Sequence, residues 1–110
     1  MRWSGEIYFD VAKLRDYCLC SSHPRGRHKA RVFQSRLGFV ANDAKRLRQF
    51  LLEAARRDDA DFVPLATDAY GDRYTLDAVI SGPSGTGIVR STWIVLTGQR
   101  VLRFVTCFVA

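Results

Sequence analysis

The stretch Ile88-Val89-Arg90-Ser91-Thr92-Trp93-Ile94-Val95-Leu96-Thr97-Gly98-Gln99-Arg100-Val101-Leu102-Arg103-Phe104-Val105-Thr106-Cys107-Phe108-Val109 decides the fold. It is rich in β-branched and aromatic residues and is divided by Gly98-Gln99, a pair suited to a tight turn. The pattern predicts strands near 88–97 and 101–109 joined as a hairpin. Upstream, the same period of two predicts strands near 62–69 and 74–81. Gly71-Asp72 suits another tight hairpin, and Gly82-Pro83-Ser84-Gly85-Thr86-Gly87 a longer loop. Alternation puts Ser91 and Trp93 on one face of their strand, Arg90 and Thr92 on the other, and Thr106 on a face with Phe104 and Phe108.

The first half of the chain changes period. Asp10 precedes Val11, Leu14, Tyr17 and Cys18, which share a helical face, so it is read as the cap of a short first helix. Ser21-Ser22-His23-Pro24-Arg25-Gly26 breaks that pattern. A second helix from about Arg27 turns Ala30, Phe33 and Leu37 inward and ends at Gly38, where a left-handed cap is expected. A third begins near Asn42 and buries Leu47, Phe50, Leu51, Ala54 and Ala55, ending at Asp58-Asp59-Ala60-Asp61. Helices followed by strands predict an α+β domain, with two to three N-terminal helices packed on a four-stranded antiparallel meander whose other face is partly free.

With 110 residues and 47% hydrophobic side chains, the chain is read as a single domain, 1–110, with one core. No apolar run approaches the roughly 18 residues of a membrane span, and the N-terminus lacks a signal-peptide plan. A cytoplasmic protein without a membrane partner is expected. Cys18, Cys20 and Cys107 cannot all pair within one chain, so reduced thiols are expected. The net charge of +6 is unevenly spread: residues 1–57 hold 13 Lys/Arg against 5 Asp/Glu, and residues 58–110 hold 4 against 6. The halves are thus +8 and −2, a segregation that draws in polyanions such as RNA.

The strongest local signal is His23-Pro24-Arg25-Gly26-Arg27-His28-Lys29-Ala30-Arg31, with two imidazoles, four fixed cations and no acid. Histidine exchanges protons near neutrality, while Lys and Arg hold phosphate and its developing charge. Metal-free RNA cleavage has those needs; so, in its binding part, does a basic helix start that only binds. His23, fixed ahead of Pro24, is read either as a site residue or as a helix-entry residue bonded to the backbone. His28 and Lys29 lie about 100° apart on a helix. Cys18-x-Cys20-x2-His23-x4-His28 fits zinc-finger spacings poorly, so no metal or cofactor is expected and the cysteines are read as buried helix-end residues. The glycine loop at 82–87 has Ile88 and Val89 where a phosphate-binding loop needs Lys and Ser/Thr, and is read as a connection. Arg90, Ser91, Thr92, Trp93, Arg103 and Thr106 are the strand residues able to reach a ligand, Trp93 being the one best suited to core packing.

The run His23-Pro24-x-Gly26-x-x-Lys29-Ala30-x-x-Phe33 is similar to an uncharacterised bacterial family found as small proteins and as C-terminal tips of polymorphic toxins. Gly71-x-x-Tyr74, Gly82-Pro83-x-Gly85, Val89-x-x-x-Trp93 and Val105-Thr106-x-Phe108 extend the likeness across residues 13–110. The helix-then-meander order and the threonine of the last strand resemble the metal-independent ribonucleases that include barnase, EndoU, the tRNA-cleaving colicins and RelE. That resemblance implies a ribonuclease toxin with its site on the sheet, catalytic residues His23, Lys29 and Thr106, and substrate contacts from Arg31, Thr92 and Trp93; the basic segment adds Arg25 and His28 as substrate-binding candidates. It implies RNA and a small acidic antitoxin or immunity protein as partners. Thr106-Cys107-Phe108-Val109 departs from the expected Thr-Ala-aromatic-Pro, which alters the strand exit. The alternative is a non-catalytic nucleic-acid-binding or protein-interaction module using the same basic face.

Overall fold

The computed structural model describes residues 3–110. Five strands form one sheet in the order β1-β5-β4-β3-β2: β1 Glu6–Tyr8, β2 Val63–Thr67, β3 Gly71–Gly82, β4 Gly85–Leu96 and β5 Val101–Val109. Strands β2 to β5 make the expected antiparallel meander. The sheet is nevertheless mixed and five-stranded, correcting the four-stranded expectation. β1 lies parallel to β5, with Ile7 opposite Leu102. Three residues are too few to show a period, and a parallel neighbour from the far end of the chain leaves no local signal.

The helical half holds a wide turn over Leu14–Cys18, helix α1 Arg27–Val32 that widens through Phe33–Leu37, a tight turn Ala41–Asp43, and helix α2 Ala44–Arg56. Asp10 caps the first turn as expected, its Oδ1 accepting the Ala12 N–H at 2.9 Å. Gly38 takes the left-handed conformation, φ 79°, that ends the second helix. The entry to α2 is shifted by one residue from Asn42: Asp43 Oδ2 accepts the Val40 N–H at 2.9 Å. Helix amphipathicity behaves as read, with Ala30, Phe33, Leu37, Leu47, Leu51, Ala54 and Ala55 buried and Phe50 packed at the margin.

Two turns differ from expectation. Gly71-Asp72 already belongs to β3, and the turn before it is organised by Asp68, whose Oδ1 accepts the N–H of Tyr70 and of Gly71. The segment 82–87 is not a long loop: Gly82 pairs with Gly85 across Pro83-Ser84, because the flanking strands run longer than the alternation indicated.

The core lies between the helices and one sheet face. Phe9 stacks on Phe104, centroids 3.9 Å apart, and Trp93 sets its ring edgewise to both. The fully buried Trp93 donates its indole N–H to Ser91 Oγ at 2.8 Å, and Ser91 donates to the Leu76 carbonyl at 3.1 Å. Both polar groups are thereby satisfied inside the core. Trp93, expected to touch substrate, is therefore a core residue: burying its large ring outweighs exposing it.

Candidate site at the rim of the open sheet face

Among the described residues the helices pack on the core face, and the residues of the opposite sheet face follow from register. Thr92 pairs with Thr106, but its neighbour Trp93 pairs with Phe104, so Val105 is an extra residue in β5. This bulge changes the phase of the strand. Phe104 faces the core with Trp93, while Thr106 and Phe108 face outward with Thr92 and Arg90. The expectation that Thr106 shares a face with Phe104 is corrected for that reason; its sharing a face with Phe108 stands. One outward row then runs Val63, Thr75, Thr92, Thr106, and the next runs Asp77, Arg90, Phe108.

Lys29 reaches the end of the first row from α1. Its Nζ donates to Thr106 Oγ1 at 2.9 Å, lies 5.1 Å from the centre of the Tyr17 ring and 6.0 Å from that of Phe108. Aromatic faces favour a cation at such distances, so the ammonium is held from three sides. Local sequence explains the placement. A Cβ at Gly26 would sit 2.1 Å from the Tyr17 carbonyl oxygen, so only glycine lets the start of α1 press against the Leu14–Cys18 turn. His23 Nδ1 accepts the N–H groups of Arg25 and Gly26 at 3.0 and 2.9 Å, pinning that entry. The helix-entry reading of His23 is thus realised. With both donors on Nδ1, the ring proton belongs on Nε2, and the imidazole stands edgewise to Tyr17 at 4.8 Å. His23, Tyr17, Lys29 and Thr106 form one contact chain.

Two thiols lie behind the pair. Cys18 Sγ is 3.5 Å from Thr106 Oγ1, the oxygen that accepts from Lys29. Hydrogen bonds from Cys107 and Thr106, with the Lys29 charge, hold the Cys18 thiol down to about 6 despite its burial, while burial pushes the Cys107 thiol up. Cys20 is not with them; its sulfur lies 3.3 Å from Ser22 Oγ at the surface.

Beside this corner the open face forms a groove of about 610 Å³. Val63, Leu65 and Phe108 are its apolar lining, Thr75 and Thr92 its hydroxyls, and Asp61, Asp77 and Arg90 its charged part. Arg90 is clamped to Asp77 by two bonds, Nε to Oδ1 at 2.7 Å and Nη2 to Oδ2 at 2.9 Å, and its guanidinium lies 5.9 Å from the Phe108 ring centre. Sequence reasoning had Arg90 on the face opposite Trp93 but did not include Arg90, Asp77, Tyr17 or Phe108 among the site residues. The adjacency of Arg90 and Thr92 to the last strand was the available signal. Arg25, His28 and Arg31 are exposed, outside the Lys29 and Thr106 cluster.

The family model of DUF6883, a domain of unknown function, matches residues 4–110. The chain belongs to DUF6883. No curated protein matches it. This DUF6883 chain is similar to a solved structure described as a contact-dependent growth inhibition toxin–immunity protein complex from Klebsiella pneumoniae 342. The two share 24% identity over 93% of this chain and 98% of that chain, with a TM-score of 0.72. At that identity the likeness establishes a shared fold. No helix of this DUF6883 chain, among the described residues, is long and apolar enough to cross a membrane.

Proposed function

We propose that this DUF6883 domain is a bacterial toxin that cleaves RNA without a metal ion, by transesterification at a phosphodiester. The observation that carries the reading is the Lys29 to Thr106 hydrogen bond at the rim of an uncovered sheet face. An ammonium fixed by a hydroxyl and two rings is a preorganised cation, which stabilises phosphorane charge without reorganising. Phosphate bound there displaces or shares the Thr106 contact. In the step, the 2′-oxygen bonds to phosphorus and loses its proton, the bond from phosphorus to the 5′-oxygen breaks, and that oxygen gains a proton. The products are a 2′,3′-cyclic phosphate and a 5′-hydroxyl. His23 contributes through its Nε2–H as a donor to the phosphate, since Nδ1 is occupied by backbone N–H groups. The exposed Arg25, His28 and Arg31 supply the longer-range attraction for the RNA backbone.

A toxin role is supported by the fold shared with a protein of a toxin–immunity complex, and the basic first half favours the toxin over the immunity side. The partner expected is a small acidic immunity protein or antitoxin covering the basic face, because opposite charge speeds association. The test is expression in a bacterial host. Wild-type protein arrests growth and fragments cellular RNA, while a folded Lys29→Ala protein does neither. Equal toxicity of the two proteins would refute the assignment.

A further inference from the structure

We propose that the open-face groove is a nucleobase subsite for the nucleotide beside the phosphate at Lys29, with the clamped Arg90 and Asp77 at the polar edge of that base. The proposal rests on the ribonuclease reading above and adds a substrate position to it. Its size is the first argument: about 610 Å³ falls within the roughly 300–1,000 Å³ of small-molecule sites. The second is chemistry. A base has apolar faces and a polar edge, and is recognised by stacking and by hydrogen bonds along that edge. Val63, Leu65 and Phe108 present apolar surface, while Thr75, Thr92, Asp77 and Arg90 present donors and acceptors.

Continuity is the third argument. The Phe108 ring is shared, with Lys29 Nζ 6.0 Å and Arg90 Cζ 5.9 Å from its centre. A base against Phe108 thus leaves its own phosphate within reach of Lys29. The fourth concerns the polar edge of the base. The clamp uses Arg90 Nε and Nη2, leaving Nη1 as a donor and the remaining lone pairs of the Asp77 carboxylate as acceptors. Every base carries an acceptor beside an N–H donor on its edge, so these groups serve any of the four without choosing among them.

The test is an NMR titration of isotope-labelled protein with the four nucleoside 3′-monophosphates and with inorganic phosphate, following the amides of Thr75, Thr92 and Phe108. The nucleotides are expected to move these signals at concentrations at least about tenfold lower than inorganic phosphate, a difference of about 1.4 kcal/mol. Asp77→Asn and the isosteric Thr92→Val should each weaken binding of all four nucleotides. In Lys29→Ala the preference for nucleotide over phosphate should survive while RNA cleavage is lost. RNA cleavage with no nucleotide signal in the groove would overturn the subsite and leave the ribonuclease reading standing. Nucleotide-selective signals with RNA left intact would support the subsite and sink the ribonuclease reading. Equal response to nucleotides and inorganic phosphate, or a groove answering only to a protein partner, would also overturn the subsite.

Discussion

Lys29 donates from Nζ to Thr106 Oγ1 across 2.9 Å, joining the first helix to the last strand over 77 positions of sequence. The same oxygen lies 3.5 Å from Cys18 Sγ, so one threonine touches both a cation and a thiol. Removing its oxygen while keeping its shape separates the two roles of the corner, chemistry and packing. Thr106→Val should reduce RNA cleavage at least about tenfold while costing only about 1 kcal/mol of stability, the usual worth of one hydrogen bond. Cleavage rates and denaturant midpoints measured on one preparation check this.

Gly26 is a packing requirement of the site. Because an added Cβ would meet the Tyr17 carbonyl at 2.1 Å, Gly26→Ala must push α1 away from the turn that carries Tyr17. The expected cost is about 1–3 kcal/mol, as for other overpacked contacts. Thermal unfolding measures it, and activity should fall further than the unfolded fraction explains, since Lys29 moves with the helix.

His23 provides a test of whether an acceptor or an imidazole matters at that position. His23→Ala leaves two backbone N–H groups without their acceptor and should cost about 1–2 kcal/mol. His23→Asn restores a side-chain acceptor and should recover most of that stability. Activity should remain low in both, because neither carries the Nε2–H. Unfolding curves and RNA cleavage of the pair give the answer.

The thiol pair predicts a pH dependence of stability. Cys18 is held at about 6 in the folded protein against an ordinary value of 9.0. A depressed folded value means that its stabilisation is present above pH 9 and is lost as pH falls toward 6. Stability should therefore rise with pH between about 6 and 9, by no more than about 1.4 kcal/mol per unit. Above that window Cys107, whose thiol burial keeps neutral, turns the trend downward. Urea midpoints across pH should show the rise in wild type and lose it in Cys18→Ser.

Much of this architecture was legible because hydrophobic period distinguishes helix from strand. The inward set Ala30, Phe33 and Leu37, the Gly38 cap, and the placing of Arg90 and Thr92 on the face opposite Ser91 and Trp93 all follow from spacing alone; which of the two faces is open does not. What spacing does not carry is a single extra residue. The Val105 bulge is invisible in an apolar run, yet it separates Thr106 from Phe104 and brings it beside Thr92. The three-residue β1 was illegible for the same reason of length. The approach of Lys29 to Thr106 is a tertiary event; the motif resemblance named both residues without pairing them, and periodicity had no access to it. The Asp77 to Arg90 clamp depends on register across a hairpin whose turn was read as longer than it is.

The central claim is that Lys29, fixed by Thr106, makes this sheet corner a metal-free RNA-cleaving site. The most direct measurement incubates purified wild-type and Lys29→Ala proteins with total RNA in excess chelator and identifies the new ends. The account predicts discrete fragments with 2′,3′-cyclic phosphate and 5′-hydroxyl ends from wild type and none from the folded variant. Intact RNA with folded, partner-free wild-type protein, or identical fragments from both proteins, would contradict it.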